Sequence, residues 1–369
     1  MVIYIIVYIF LFSIFLIHGR NVSCHKTSYW KYAILPIIAF SLIEGSRYMR
    51  GIDYRHYALF YSNPELMLIK EDFGFEILNE ALRTISTDPQ FAFTIYALIT
   101  IICLFIFAKQ FTGIYPIIFL LMLVFTIHSS EWIIRQFISI AIMYAAIYYL
   151  MMKKYKLCLV FSLCSVCMHY SSIFFLAIIL FCYLLLKRPI KWQITVPIII
   201  IVMLFSSANF IADFISKVLN AANMSFLDGS SYVRYVEKSD QFLDSNAAGT
   251  VTGNRSVFTT LLNLLFYVSL FIEGYYVLYK KKLHKISLFF NLCVIGYIGK
   301  EFFLKYELFV RLFRPMELLV FIPVSYIVLN KNSCRFKITY FYIIIYTTLI
   351  AVRFIFFPSE DYYRFIWTK

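Results

Sequence analysis

Long apolar runs constrain this chain more than any other feature of its sequence. Leu157–Leu186, Val257–Tyr279 and Ile338–Phe357 are examples. A helix needs about 17–25 mostly apolar residues to cross a bilayer, whereas membrane strands are shorter segments with a period of two. Only 15% of the 369 residues are charged, compared with about 25% in soluble domains. The runs therefore predict an all-α, polytopic transmembrane helical bundle.

Twelve spans are predicted from these runs, within a range of about 10–14 helices. They cover residues 2–17, 31–43, 91–108, 114–128, 132–150, 157–168, 171–186, 194–206, 257–279, 286–303, 315–329 and 338–356. No basic segment precedes the N-terminal run and no cleavage site of small residues follows it, so it is predicted to be a retained first helix. A single integral membrane domain, residues 1–369, is predicted to contain all twelve.

The distribution of charge predicts the orientation of these spans in the membrane. Alternate connections between the predicted helices carry seventeen Lys and Arg and no Asp or Glu. Cytoplasmic loops are enriched in Lys and Arg, so this set is predicted to face the cytoplasm, with both termini facing outward. The same placement accounts for the net charge of +14 without a nucleic-acid partner.

Two outer connections are much longer than a helix connector needs. They cover about residues 44–90 and 207–256, and each contains a stretch with amphipathic helical periodicity, Phe75–Ile85 and Phe210–Leu219. Loops of this length are commonly functional. The second is rich in Gly, Ser, Asn and Asp and could form a lid over an outward-facing cavity.

The first long loop begins with a dense polar cluster. Residues 47–57 include three Arg, one Asp and three Tyr. Arg presents a planar fork of donors suited to phosphate, and Gly51 permits close approach of the backbone to a ligand. Asp53 could act as a base or could hold one of the arginines, and an interfacial belt of aromatic and Arg residues is an equal alternative. The candidate site residues in this cluster are Arg47, Arg50, Asp53, Tyr54 and Tyr57.

Arg135 and His169 interrupt the apolar pattern at the outer ends of predicted helices. An Arg at membrane depth is costly and normally faces a cavity or a partner, and Glu131, four residues earlier, provides an ion-pair alternative. His169 divides a thirty-residue apolar stretch into halves that each reach only about 20 Å at 1.5 Å per residue. It is a candidate general base, or else a hydrogen-bonded residue of a helix turn.

A last pair of cations, Arg311 and Arg314, lies at the outer start of the eleventh predicted helix and could share one face. Pairing with Glu307 or Glu317 is the structural alternative. Several arginines around an outer cavity imply an anionic ligand near the lipid headgroups. The sequence contains neither a Walker loop nor a HExxH motif. The predicted cytoplasmic loops also carry no acid that could bind a nucleotide–metal pair, which argues against cytoplasmic nucleotide chemistry.

At these clusters the chain resembles the EpsG/Wzy-type polysaccharide polymerases, which include bacterial O-antigen and exopolysaccharide polymerases. Ile52 replaces the small residue that usually follows the first Gly of their pattern. The matching elements are Gly-x-Asp-Tyr-x-x-Tyr at Gly51, Asp53, Tyr54 and Tyr57, an acidic Gly-Phe segment at residues 71–76, Ile-Arg-Gln at Ile134–Gln136, His-x-Ser at His169 and Ser171, and an Arg-rich helix start at Arg311 and Arg314.

The resemblance implies an architecture similar to the GT-C glycosyltransferases. It implies polymerisation at the outer face of the bacterial cytoplasmic membrane, by transfer of a growing glycan from undecaprenyl pyrophosphate onto another lipid-linked repeat unit. The product would be O-antigen, capsule or exopolysaccharide. The implied partners are the lipid-linked donor and acceptor, the bilayer and, as a further candidate, a chain-length regulator protein, with no metal or other cofactor.

The mechanism expected from this resemblance assigns a role to each candidate. Arg135, with Arg311 and Arg314, is expected to bind the donor pyrophosphate, and either Asp53 or His169 to deprotonate the acceptor hydroxyl. A flippase or transporter of lipid-linked sugars is one alternative function, and an O-antigen ligase or an acyltransferase is another. The remaining substrate-binding candidates are Arg47, Arg50, Tyr54, Tyr57, Gln136 and Ser171.

Overall fold

A computed structural model describes residues 2–25, 28–51, 53–66, 72–205, 257–304, 307–357 and 365–366. These residues form helices and connecting turns, and within these ranges no strand is present. One isolated bridge pairs Arg47 with Phe365. The predicted all-α class is confirmed for this part of the chain.

The helices follow the apolar runs closely. In the first half of the chain they are α1 (Val2–Cys24), α2 (Tyr29–Gly45), α3 (Tyr54–Ser62), α4 (Phe73–Arg83), α5 (Pro89–Ala108), α6 (Tyr115–Trp132), α7 (Ile134–Met151), α8 (Tyr155–Met168) and α9 (Ser172–Leu185). In the second half they are α10 (Trp192–Phe205), α11 (Val257–Lys280), α12 (Ser287–Phe302), α13 (Glu307–Glu317), α14 (Phe321–Leu329) and α15 (Lys337–Phe356).

Each of the twelve predicted spans coincides with helix, but the helices differ in their ability to cross a membrane. Three apolar helices are shorter, and α8, with fourteen residues, is only about 21 Å long at 1.5 Å per residue. The twelve crossings therefore stay a prediction. Among the described residues, seven segments are long and apolar enough to cross: Val2–Cys24, Pro89–Ala108, Thr112–Trp132, Ile134–Met151, Val257–Lys280, Phe309–Leu329 and Lys337–Phe356.

The chain divides into two compact units, and the first comprises Met1–Leu68, Asp72–Leu176 and Ile345–Lys369. In this unit α1 packs against α2 and α6, α2 against α5, α5 against α7, and α7 against α8. The α7–α8 contact is formed by small residues, because Ser139 and Ser165 each donate a hydroxyl hydrogen bond to the other's carbonyl oxygen, at 2.7 and 2.8 Å. This seam pairs the start of α7 with the end of α8.

The second unit comprises Ile69–Glu71 and Ala177–Ile344. There α12 packs against α10, α11, α13 and α14. The buried Asn291 side chain holds the connection between α9 and α10, since its amide donates to the carbonyl of Arg188 at 2.9 Å and accepts from the Ile190 N–H at 2.8 Å. A single domain over residues 1–369 would require the two units to pack together, and this stays a prediction.

Glu273, a fully buried acid in α11, has a structural role in the second unit. Its carboxylate accepts hydrogen bonds from the backbone N–H groups of Arg335 and Phe336 at 2.6 and 3.0 Å, and from the Thr339 hydroxyl at 2.5 Å. These groups surround the first turn of α15, whose leading N–H groups have no partner within the helix. Glu273 therefore caps a neighbouring helix, which explains a carboxylate in an apolar segment.

The first long loop contains the amphipathic helix expected at Phe75–Ile85. It is α4, which buries Phe75 and Leu82 and exposes Phe73 and Ile77. The second expected helix, Phe210–Leu219, and the rest of the loop at 207–256 lie outside the described residues.

Candidate functional site

Asp72, Arg135 and His169 meet at one site in the first unit. A single carboxylate oxygen of Asp72 lies 2.9 Å from Nδ1 of His169 and 3.3 Å from Nε of Arg135. Arg135 and His169 are two of the three residues, with Asp53, that the sequence indicated as candidate catalytic residues. The structure brings them together through Asp72, which was noted only as part of the acidic Gly-Phe segment.

Local structure explains how each of the three side chains reaches this point. Asp72 has extended backbone and directly precedes α4, Arg135 lies in the first turn of α7, and His169 ends α8. The helix α4 can approach α8 closely because Gly74 has no side chain, and a Cβ atom there would lie 2.8 Å from the carbonyl carbon of Cys167. The serine seam between α7 and α8 brings the other two residues to the same end.

The three side chains differ in their access to solvent. Asp72 has a side-chain exposure of 1%, whereas Arg135 and His169 have 14% and 13%. The Arg135 and His169 side chains are therefore partly exposed, whereas the carboxylate between them is enclosed. The arrangement suits binding of an anion by Arg135 next to a proton-accepting His169.

Glu131 does not pair with Arg135, although the two are four residues apart. Ile133 leaves the helical region of the backbone, with φ −126° and ψ 58°, so Glu131 belongs to the end of α6 and Arg135 to the start of α7. Glu131 instead pairs with Arg50 at 2.9 Å. The ion-pair alternative for Arg135 and Glu131 is therefore not formed, because the helix is interrupted between the two residues.

Arg50 is the centre of a second polar cluster, and it is fully buried. Its Nη2 atom lies 2.9 Å from Glu131 Oε1 and 3.7 Å from Glu44 Oε1, and it donates to the Tyr8 hydroxyl at 2.8 Å. Arg47, also buried, pairs with Glu44 at 3.3 Å. Two arginines and two glutamates thus neutralise one another inside the first unit.

Phe365 and Ile366 pack against this buried cluster. The Phe365 ring lies 4.7 Å from the Arg50 guanidinium, and the Ile366 N–H donates to the Ser46 carbonyl at 2.9 Å. Arg47 and Arg50 were expected to bind substrate, but the structure places both among buried partners. Their geometry corresponds instead to an internal ion-pair network.

Gly51 approaches the protein's own backbone in this structure, where the sequence suggested approach to a ligand. It has φ +87°, and a Cβ atom would lie 2.1 Å from the carbonyl oxygen of Glu131.

We expect Gly51→Ala to destabilise the protein by about 1–3 kcal/mol, from left-handed strain and this clash. Thermal unfolding of the purified protein in detergent measures the loss. Gly113→Ala is the matched control, because no atom lies within 4 Å of its Cβ position; equal unfolding temperatures for the two variants would contradict the expectation.

The other candidates of the Gly-x-Asp motif lie around α3. Asp53 immediately precedes α3 and is half-buried. Tyr54 is buried, stacks on Phe93 with ring centroids 4.7 Å apart, and is hydrogen-bonded to the Gln90 amide. Burial raises the pKa of the Tyr54 phenol, so it stays protonated at neutral pH. Tyr54 therefore has a packing role in this unit.

Three further candidates have different surroundings in the first unit. Tyr57 is half-buried and packs edge-on against Phe75 of α4, 5.3 Å between ring centroids. Gln136 is buried on α7, next to Arg135. Ser171 is half-buried in the turn before α9. Tyr57 and Ser171 are thus partly accessible, and Gln136 is not.

Arg311 and Arg314 belong to α13 in the second unit, where both are half-exposed. Nearby, Lys300 pairs with Glu317 at 2.5 Å, and the Tyr267 hydroxyl donates to the same Glu317 oxygen at 2.7 Å. Glu317, which was considered as a partner for the arginines, thus contacts Lys300 and Tyr267 as well as lying near Arg314.

The described residues contain no group of three His, Cys, Asp or Glu side chains placed to hold a metal ion. The apolar helices indicate a multi-pass membrane protein, in which one buried carboxylate, Asp72, contacts both a guanidinium and an imidazole. The chain belongs to the EpsG family, whose sequence model matches residues 30–367. A search of curated proteins found no match, and a search of solved structures found none either.

Family membership confirms the resemblance drawn from the motifs and points to a polysaccharide-polymerase type of function. Two of the matched motifs, Ile-Arg-Gln and His-x-Ser, each contribute one side chain to the site. The sequence motifs indicated neither the place of Asp72 in the site nor the buried ion-pair network around Glu44. A usable signal for Asp72 was its position directly before an amphipathic helix.

Proposed function

We propose that this protein is a polysaccharide polymerase that transfers a growing glycan from a lipid pyrophosphate onto another lipid-linked repeat unit. The reaction takes place at the outer face of the bacterial cytoplasmic membrane. The observation that carries this proposal is the convergence of Arg135 and His169 on Asp72, in a chain that belongs to the EpsG family.

Arg135 is the residue that stabilises the leaving group. Negative charge grows on the pyrophosphate as the bond between the anomeric carbon and the phosphate oxygen breaks. A guanidinium held in place before the reaction stabilises this charge in the transition state. Arginine supplies the positive charge that a divalent metal could otherwise provide, so the proposed reaction needs no metal.

His169 is the better of the two candidate bases. It shares Asp72 with Arg135, so a base and an anion-binding group are adjacent, as transfer between two bound substrates requires. Its side chain is also partly accessible. Asp53 directly precedes α3, whereas His169 contacts the same carboxylate oxygen as Arg135, so we assign proton transfer to His169.

The position of Glu273 supports an enzyme over a flippase. A conduit for lipid-linked sugars is expected to distribute polar residues through the membrane segments. Glu273 is the isolated acid in its apolar helix, and its carboxylate is occupied in capping α15. An outer-face ligase would use a similar site, and product analysis distinguishes it from a polymerase.

A deletion strain tests the function directly. We expect cells that lack the gene to accumulate single repeat units on the lipid carrier or on its normal acceptor, and to lose long polymer. Electrophoresis of the surface glycan and mass spectrometry of the lipid-linked fraction measure this. Loss of every capped product, including single units, would indicate a flippase or a ligase. Unchanged polymer would exclude the proposal.

A further inference from the structure

We infer that Asp72 is a positioning residue that fixes His169 in the tautomer needed for proton transfer and also orients Arg135. This inference rests on the proposed glycosyl transfer and adds a third member to its site. Asp72 acts through the two residues that can reach substrate.

The contact between Asp72 and His169 determines the tautomer. An ionised carboxylate only accepts hydrogen bonds, so Nδ1 of His169, 2.9 Å from the Asp72 oxygen, carries the proton. In a neutral imidazole the other nitrogen, Nε2, is then the acceptor. A carboxylate in this position also stabilises the imidazolium that forms when Nε2 takes a proton.

Burial separates the role of Asp72 from that of a general base. With a side-chain exposure of 1%, its carboxylate is enclosed, while the imidazole and the guanidinium retain 13% and 14%. A base must come within hydrogen-bonding distance of the hydroxyl that it deprotonates. His169 meets this requirement better than Asp72, which is therefore a positioning residue.

The proposed step balances with these groups. The acceptor hydroxyl oxygen forms a bond to the anomeric carbon of the donor glycan as the bond from that carbon to the pyrophosphate oxygen breaks. The electron pair of the broken bond leaves with the lipid pyrophosphate, next to Arg135. The hydroxyl proton moves to Nε2 of His169, and Asp72 compensates the resulting positive charge. No oxidant, reductant or further reactant is consumed.

Nuclear magnetic resonance tests the tautomer independently of activity. The chain contains six His, so ¹⁵N-histidine labelling gives a small set of imidazole signals, and His169→Gln identifies the relevant one. We expect His169 to be protonated at Nδ1 in the native protein. In Asp72→Asn the amide can donate to Nδ1, so we expect a shift towards the Nε2-protonated form. An Nε2-protonated His169 in the native protein would overturn the inference.

A kinetic cycle tests the consequence for the reaction. Lipid-linked repeat units extracted from the deletion strain serve as substrate for the purified protein in vesicles. We expect Asp72→Asn to lower kcat about 10²–10⁴-fold, with a much smaller change in KM and partial rescue by Asp72→Glu. In a His169→Gln background the same substitution should have a much smaller effect, limited to what Asp72 contributes through Arg135, because its action through His169 is already lost.

The controls separate a positioning role from a structural one. Asp88→Asn is the matched substitution, because Asp88 is exposed and caps α5 through a hydrogen bond from the Gln90 N–H, a role that Asn also fills. An Asp72→Asn effect that is as large in the His169→Gln background as in the native protein would overturn the inference. If the native protein forms no polymer from these units, the proposed function fails, and the tautomer measurement still decides the role of Asp72.

Discussion

Replacing Arg135 with alanine is expected to remove long polymer while leaving a folded protein. The guanidinium is the cation at the Asp72–His169 site, and loss of one such charge-stabilising donor typically lowers a rate by about 10²–10³-fold. At that rate the surface glycan should collapse to very short chains. Electrophoresis of the glycan measures chain length, and the reconstituted assay measures the rate.

Two variants define what Arg135 contributes. Arg135→Lys keeps the charge but loses the planar fork of donors. If the site binds a phosphate through two donors, we expect a partial loss of polymerisation activity. Arg55→Ala is the matched control, because Arg55 is exposed on α3 and belongs neither to the Asp72 site nor to the buried network around Arg50. An unchanged chain-length distribution in Arg135→Ala, with the protein present in the membrane, would remove Arg135 from the mechanism.

Replacing Arg50 with alanine is expected to have a different result, namely loss of the folded protein. Arg50 is fully buried, and its removal leaves Glu131 without its ion-pair partner at 2.9 Å. Breaking a buried ion pair on one side typically costs about 3–5 kcal/mol. Folded yield and thermal unfolding in detergent should both fall sharply.

A double substitution separates charge imbalance from loss of a binding group. Arg50→Met combined with Glu131→Gln removes both charges of the pair and leaves the Arg47–Glu44 pair in place. We expect it to recover much of the stability lost in Arg50→Ala, because no uncompensated buried charge remains. An Arg50→Ala protein with native stability and no polymer would instead return Arg50 to the substrate-binding residues.

Arginines that are close together in this sequence have different surroundings in the structure. Arg47, Arg50 and Arg55 lie within nine residues, yet the first two are buried in ion pairs and the third is exposed. The sequence indicates that the cluster is unusual for a membrane protein. It does not indicate which members find acidic partners, because Glu131 comes from a distant helix.

The helices and the class of protein could be predicted because their causes are local. An apolar run longer than about 17 residues is suited to a membrane helix whatever surrounds it, and the runs here coincide with the helices. The motifs at Arg135 and His169 also indicated family membership, since they depend on the order of residues along the chain.

Only the tertiary structure decided which polar groups meet. Asp72 contacts a histidine that lies 97 positions later in the sequence. This depends on Gly74 and on the serine seam between α7 and α8, both matters of packing. The pairing of Glu131 with Arg50 likewise depends on a single non-helical residue, Ile133. The sequence by itself determined where helices form, because that depends on neighbouring residues, whereas the site depends on contacts between distant ones.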